Sequence, residues 1–222
     1  TNWLLNSTVT KYQQTIIPGD AVTFNDSGSG TVILSANVGP ASLTISNDTK
    51  PYTFSGNRNI SGPTGVLKSG ASTAVLNLTN NSYTGDTTIN GGTLQFGVAS
   101  GLPASGNLVI GAAGKLQMAG LNLTARELTG SGTVDNSAGL ETLLIVGGSS
   151  GGTWNGTVTN SGGGGIALRK LGTGTWVLGG QNHFDNGQSF SFQNQINQGT
   201  VILNNNALLS SDFLQLQIAH GA

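Results

Sequence analysis

The fold of this chain is decided by residues 167–178, which read ALRKLGTGTWVL, and by the earlier residues 66–76, which read VLKSGASTAVL. Both stretches contain a lysine, a glycine two residues later, and an alternation of polar and apolar residues that ends in Val-Leu. In each case an asparagine and an aromatic residue follow, as NSY at residues 81–83 and as NHF at residues 182–184. Matching of this kind marks an internal repeat.

The two copies of the repeat extend over about residues 66–94 and 167–201, because each closes with an isoleucine and a Gly-Thr pair. Short runs of period two, bounded by Gly, Asn or Ser, also fill the rest of the chain and are typical of β-strands. We find no convincing helix. Strands this short bury little surface individually, so the repeat favours successive turns of a coil that cover one another. The sequence therefore predicts an all-β, parallel β-helix (β-solenoid), with residues 1–222 as a single domain.

Alternation within the two copies predicts which side chains face the core of the coil, because successive side chains of a strand point to opposite sides. The expected role of these residues is structural. They are Leu67, Val75, Leu76, Tyr83, Ile89, Leu94, Trp176, Leu178, Phe184, Ile196 and Val201.

Composition excludes several classes of function. Charged residues make up 8% of the chain, and the formal net charge is −1, so the broad basic field of a nucleic-acid-binding protein is absent. The chain has no cysteine, which excludes disulfides and thiolate metal sites. No apolar run is long enough to predict a transmembrane segment. The first residues lack the basic flank of a signal peptide, so we expect the leader of an exported protein to have been removed.

Together, the lysine, the glycine, GTWVL at residues 174–178, the Asn-x-aromatic triplet and the closing Ile-x-x-Gly-Thr resemble the autotransporter-associated β-strand repeat of bacterial surface proteins. The resemblance implies a right-handed parallel β-helix in the exported passenger part of an autotransporter-like protein. It also implies a location outside a bacterial cell or on its surface. The second copy departs from the first by extra residues within residues 185–195, which we expect to form a loop off the solenoid.

Parallel β-helices also include enzymes that act on polysaccharides, and such enzymes need a pair of carboxylates. Asp86 and Asp185 occupy comparable positions just after the aromatic residue of each copy. We interpret both as turn residues. Arg126 is followed by Glu127, but alternation places their side chains on opposite faces.

Histidines and glycine-rich motifs also predict structural roles. His183 and His220 lie far apart in the sequence, and alternation points His183 outward. Residues 130–135, GSGTVD, lack the third glycine of a dinucleotide-binding loop and are interpreted as a turn. Trp3, Trp154 and Trp176 could form a carbohydrate platform, but their place in the strand pattern favours the core.

The leading hypothesis is a structural scaffold without catalytic, cofactor or metal sites, and hence not an enzyme. Uncapped strand edges at the ends of a solenoid would allow copies to associate end to end into an extracellular fibre. A second hypothesis is an adhesin that contacts cell-surface glycans or other cells through residues 185–195. A polysaccharide-active enzyme is the third.

Overall fold

A computed structural model of the chain describes residues 3–5, 8–10, 12–14, 16, 18–184, 194–204, 208–209 and 217–218. Almost all regular structure is β, apart from one turn of 3₁₀ helix at Ala99–Gly101. No helix in the described residues is long and apolar enough to cross a membrane. The strands are β1 (Trp3–Leu5), β2 (Thr8–Thr10), β3 (Ala21–Asn25), β4 (Thr31–Ile33), β5 (Ser42–Ser46), β6 (Tyr52–Ser55), β7 (Ser61–Gly62), β8 (Val66–Ser69), β9 (Thr73–Leu76), β10 (Ser82–Tyr83), β11 (Thr87–Phe96), β12 (Leu108–Gln117), β13 (Leu123–Ala125), β14 (Leu128–Gly130), β15 (Thr133–Asp135), β16 (Thr142–Val146), β17 (Gly152–Trp154), β18 (Thr157–Thr159), β19 (Ile166–Lys170), β20 (Thr175–Leu178), β21 (Gln181–Asn182), β22 (Gln195–Ile196), β23 (Thr200–Leu203), β24 (Leu208–Leu209) and β25 (Gln217–Ile218).

The strands stack in parallel as a β-solenoid of about eight turns, which confirms the predicted fold. Each strand pairs with the equivalent strands of the turns before and after it. Ala21 pairs with Ser42 and Thr175 with Thr200, so one turn takes 21 residues near the start and 25 near the end. The antiparallel hairpin of β1 and β2 is the exception and precedes the first turn.

Each turn passes along three faces of the coil in a fixed order. Face 1 contains β3, β5, β8, β14, β17, β20 and β23, together with the first parts of β11 and β12. Face 2 contains β4, β6, β9, β15, β18, β21 and β24, together with the second parts of β11 and β12. Face 3 contains β13, β16, β19, β22 and β25, preceded along the coil by the shorter pair β7 and β10. The core therefore runs through the interior of the coil, parallel to its axis.

Alternation along the strands fills this interior with apolar side chains. Among the predicted core residues, seven are fully buried: Leu76, Tyr83, Ile89, Leu94, Trp176, Leu178 and Phe184. Ile196 and Val201, in the last turns, are half-buried, and Val201 packs against the core.

Leu67 and Val75 differ from the prediction, because both are half-buried and their side chains point away from the core. Two adjacent residues of a strand cannot both face the core, and Ala74 and Leu76 take the inward positions of β9. In β8 the inward positions belong to Val66 and Lys68. A buried lysine is not what hydrophobicity predicts at this position.

Candidate functional site: the two lysine corners

The repeat lysine closes a corner of the coil from the inside. Lys68 ends the inward row of β8 and is 0% exposed. Its Nζ donates hydrogen bonds to the carbonyl oxygens of Ser69 and Gly70, both at 2.7 Å, and of Gly91 at 3.1 Å. Gly91 belongs to the next turn, so one ammonium group forms hydrogen bonds with two successive corners. We call this arrangement the first lysine corner.

Among the described residues, no carboxylate forms an ion pair with the buried ammonium group of Lys68. Burial lowers its pKa to about 8, and the negative charge of Asp48 offsets only part of that effect. The three carbonyl dipoles therefore provide the hydrogen bonds that a buried ammonium requires.

A glycine is needed beside the lysine because two turns approach closely there. Gly70 has φ +77°, a conformation that other residues rarely adopt, and a Cβ at this position would overlap the backbone of Asn47 in the preceding turn. The Lys-x-Gly spacing of the repeat thus follows from the geometry of the corner.

Asp26, two turns before Lys68, caps the backbone of the intervening turn on the same edge of the coil. Oδ1 of Asp26 accepts hydrogen bonds from the backbone N–H groups of Asp48, Thr49 and Lys50 at 3.2, 3.1 and 2.9 Å. The hydrogen bonds from Lys50 and Thr49 hold the pKa of Asp26 below its ordinary value. Asp48 in turn accepts a hydrogen bond from the N–H of Ala71 at 3.1 Å. Successive corners are therefore linked by carboxylates as well as by the lysine.

The second copy of the repeat builds an equivalent arrangement, the second lysine corner. Lys170 is 0% exposed, and its Nζ donates to the carbonyl oxygen of Gly172. Burial lowers the pKa of Lys170, while the charge of Glu127 acts in the opposite direction. Glu127 is also buried, and its Oε1 accepts hydrogen bonds from the N–H groups of Ser150 at 3.0 Å and Gly151 at 2.9 Å. Glu127 precedes Lys170 by 43 residues, as Asp26 precedes Lys68 by 42.

These capping acids show that the internal repeat is longer than residues 66–94 and 167–201. Residues 28–32 and residues 130–134 both read GSGTV, but they lead into β4 and β15, which both lie on face 2. Lys68 and Lys170 lie on different faces, so this recurrence does not mark the same repeat.

The two copies nevertheless lie on different faces. Lys68 pairs with Ile89, and the same column continues through Ile110, Gly130 and Trp154 on face 1. Lys170 lies on face 3, two faces beyond Trp154, where it pairs with Val146. The second copy is therefore displaced by four and two-thirds turns, and the two corners lie on different edges of the coil.

Only one member of the candidate carboxylate pair, Asp86, lies in the described residues. Asp86 is exposed, and its Oδ1 accepts a hydrogen bond from the N–H of Asn107 at 2.9 Å, as a turn residue would. Asp185 lies outside the described residues, as does most of the predicted loop at residues 185–195.

The remaining polar candidates occupy separate positions in the fold. His183 is exposed, as alternation predicted, and His220 lies outside the described residues. Arg126 is exposed whereas Glu127 is buried, so their side chains do point to opposite faces.

Asp135, from the GSGTVD stretch, is buried and accepts hydrogen bonds from Lys115, Gln117 and Ser161. No group of three or more possible metal ligands occurs in the part of the chain that the structure describes.

Two of the tryptophans lie in the core and link distant turns. Trp154 and Trp176 are both 0% exposed. Nε1 of Trp154 donates to Oδ1 of Asn182 at 3.0 Å, and Nε1 of Trp176 donates to the carbonyl oxygen of Leu128 at 2.8 Å, 48 residues earlier. Buried rings cannot serve as a carbohydrate platform. The side chain of Trp3 is outside the described part of the chain.

Comparison with known families matches the same two stretches. The family model described as passenger-associated-transport-repeat matches residues 66–96 and 168–203. Searches of curated proteins and of solved structures found no match. Both matched stretches contain a Lys-x-Gly corner and the strands that follow it on a continuous β-solenoid. Residues 66–96 and 168–203 therefore match an autotransporter-associated β-repeat family, as two copies of its repeat.

Proposed function

We propose that the chain is a non-enzymatic structural module of a secreted or cell-surface bacterial protein. The passenger repeat supports the location, and the use made of the acidic side chains supports the structural role. In the described part of the chain, five acidic residues accept backbone hydrogen bonds from the following turn of the coil. They are Asp26, Asp48, Asp86, Glu127 and Asp135.

This use of carboxylates argues against catalysis by the same groups. A general acid or base must be free to exchange a proton with a substrate in an accessible site. Glu127 and Asp135 are instead 2% exposed and hydrogen-bonded to neighbouring turns. Their hydrogen bonds stiffen the coil, because every such turn is held by side chains as well as by strand pairing.

End-to-end association would extend this rod. β3 and β4 form the first turn, and each pairs with only one other described strand, so one edge of each is available for pairing. At the other end of the coil, β23 pairs with β20 alone among the described strands, and its Ile202 and Leu203 are about half exposed. We propose that the first turn of one copy stacks on the last turn of another, a heterologous contact that leads to a fibre.

Electron microscopy of the purified protein over a range of concentrations tests the fibre. Rods that lengthen with concentration at constant width support end-to-end association, and short particles of one length at every concentration contradict it. The non-enzymatic role is tested separately with a panel of uronic-acid and neutral polysaccharides. Turnover of any polymer that is lost in an Asp86→Asn, Asp185→Asn double variant would contradict it.

A further inference from the structure

We propose that face 1 is a lateral self-association surface, through which two solenoids pack side by side with their face 1 strands in contact. The proposal rests on the structural role proposed above and deepens it by naming a second partner surface on the same module. It concerns the flat side of the rod, whereas fibre growth concerns its ends.

Face 1 presents a continuous outward column along the whole described coil. Strand pairing places one residue of each turn above the next, and all but one of the nine are β-branched. The column consists of Thr23, Thr44, Leu67, Thr88, Val109, Thr129, Thr153, Val177 and Ile202. The hydroxyl groups of its threonines form no hydrogen bond with another described residue, so they are available to a partner.

Charge is absent from this face. The nine strand segments of face 1 contain one charged residue, Lys68, and its side chain is buried inside the coil. Face 2, by contrast, carries the partly exposed Lys115 at a position between its inward residues. Uncharged β-branched ladders are the kind of surface that packs dry against a second sheet, because no charge has to be desolvated.

Strand spacing makes a second copy of this chain a matching partner. Rungs of the column repeat at about 4.8 Å, the distance between neighbouring strands. Side chains interdigitate over the full length only if the opposing surface has the same repeat distance. Face 1 of another copy has that repeat distance and, like the first, no charge that would oppose the contact.

The size of the face predicts a weak contact between single modules. Nine rungs span about 40 Å and three residues across a strand span about 10 Å, so each copy offers about 400 Å², half of the area that a standard stable interface buries per partner. Side-by-side contact would therefore strengthen with rod length, since each added turn adds a rung.

A matched pair of charge substitutions on one strand provides the main test. Thr88 lies outward on the face 1 part of β11, and Thr93 lies outward on the face 2 part of the same strand. We expect Thr88→Lys to weaken side-by-side association at least tenfold, because each copy would place an ammonium group in the contact, where it loses its water. Thr93→Lys should leave it unchanged. Sedimentation equilibrium gives the affinity, and small-angle scattering gives the mass per unit length.

Mass per unit length separates this proposal from fibre formation. Side-by-side packing doubles it, whereas end-to-end stacking lengthens the rod and leaves it unchanged. A wild-type protein that stays at the value of a single solenoid at every concentration would overturn the lateral proposal, even if fibres form. Equal association by Thr88→Lys and the wild type would also overturn it.

Cross-linking tests the same contact without a charged variant. Val109 is the fifth of the nine rungs, so it opposes its own counterpart whether the two full-length columns pack parallel or antiparallel. The chain has no cysteine, so a single Val109→Cys substitution gives an unambiguous probe. Oxidation should link it into disulfide dimers, and a Thr93→Cys control should stay largely monomeric. Equal dimer yields in the two variants would contradict the proposal.

Discussion

The two copies of the repeat build the same corner on different edges of the coil. In each, a buried lysine donates to the carbonyl oxygen of the glycine two residues later, and an acid some 42 or 43 residues earlier caps a neighbouring turn. Yet Lys68 lies on face 1 and Lys170 on face 3. The repeat therefore encodes a local corner and the strands beside it, whereas its face depends on how many residues the intervening turns take.

The core side chains beside the two corners differ in size. The first copy places Ala74 where the second places Trp176, and both residues are fully buried. The first copy has Tyr83, whose hydroxyl group is hydrogen-bonded to Oγ1 of Thr87 at 2.7 Å, where the second has Phe184. One corner motif thus tolerates quite different core packing, provided that the lysine and the glycine are kept.

Removal of the large side chain that distinguishes the second copy should have the largest effect. We expect Trp176→Ala to lower the free energy of unfolding by about 3 to 5 kcal/mol, since it opens a cavity and leaves the carbonyl of Leu128 without its partner. Urea denaturation followed by circular dichroism measures the loss. Thr175→Ala, at the exposed neighbouring position, is the control and should cost little. A similar loss in both variants would show that Trp176 is not a core residue.

Substitution of the corner glycines tests whether the two corners are equivalent. We expect Gly70→Ala and Gly172→Ala each to destabilise the chain by roughly 2 to 4 kcal/mol, because a Cβ at either position would overlap the backbone of the preceding turn. Gly163 has φ +82°, but nothing lies within 4 Å of the position that a Cβ would take, so Gly163→Ala isolates backbone strain at about 1 kcal/mol. Thermal denaturation of the three variants makes the comparison. If Gly70→Ala cost no more than the control, close approach would not explain the repeat glycine.

The two acidic caps should contribute differently to stability, because Glu127 is buried and Asp26 is not. Glu127→Ala leaves the N–H groups of Ser150 and Gly151 without their acceptor, and we expect a loss of about 2 kcal/mol. Asp26→Ala should cost less, because water can reach its more exposed turn and replace the carboxylate. Urea denaturation at pH 7 compares the two. A larger loss for Asp26→Ala would reverse this ranking of the caps.

The first lysine corner should also give the chain a measurable pH dependence. The folded-state pKa of Lys68 is about 8, below the ordinary lysine value of 10.5, so the unfolded chain binds more protons between these values. Stability should therefore rise with pH in this window, by about 2 kcal/mol from pH 8 to pH 10. Above pH 10 the raised pKa of buried Tyr83 acts the other way, because the unfolded tyrosine ionises first.

A Lys68→Met variant, compared with the wild type by urea denaturation, checks this prediction. Its stability should change less between pH 8 and pH 10, since the buried amine is gone. Parallel pH profiles for the two proteins would mean that Lys68 has an ordinary pKa in the folded state.

Much of the fold was predictable because it depends on local pattern. Alternation of apolar and polar residues identified the strands, and the Lys-x-Gly repeat identified a solenoid. The errors at Leu67 and Val75 arose where hydrophobicity and alternation disagreed. Leu67 has the hydrophobicity of a core residue, but the inward position beside it is occupied by a lysine whose charge is satisfied by backbone carbonyl groups.

The corner itself could not be predicted, since its partners come from other turns. Gly91 lies 23 residues after Lys68, and Asp26 meets its hydrogen-bond donors 22 to 24 residues later. A polar residue at an inward position is normally unfavourable unless such partners exist. No spacing rule within a single strand reveals them.

From its sequence alone, this chain is a parallel β-solenoid with two copies of one repeat, because strand alternation and turn-forming residues act over a few neighbouring positions. Only the tertiary structure decided that the repeat lysines are buried, that the acids cap adjacent turns, and that the copies lie on different faces. Those features depend on the length of every intervening turn, which sets the register between residues that are distant in the sequence.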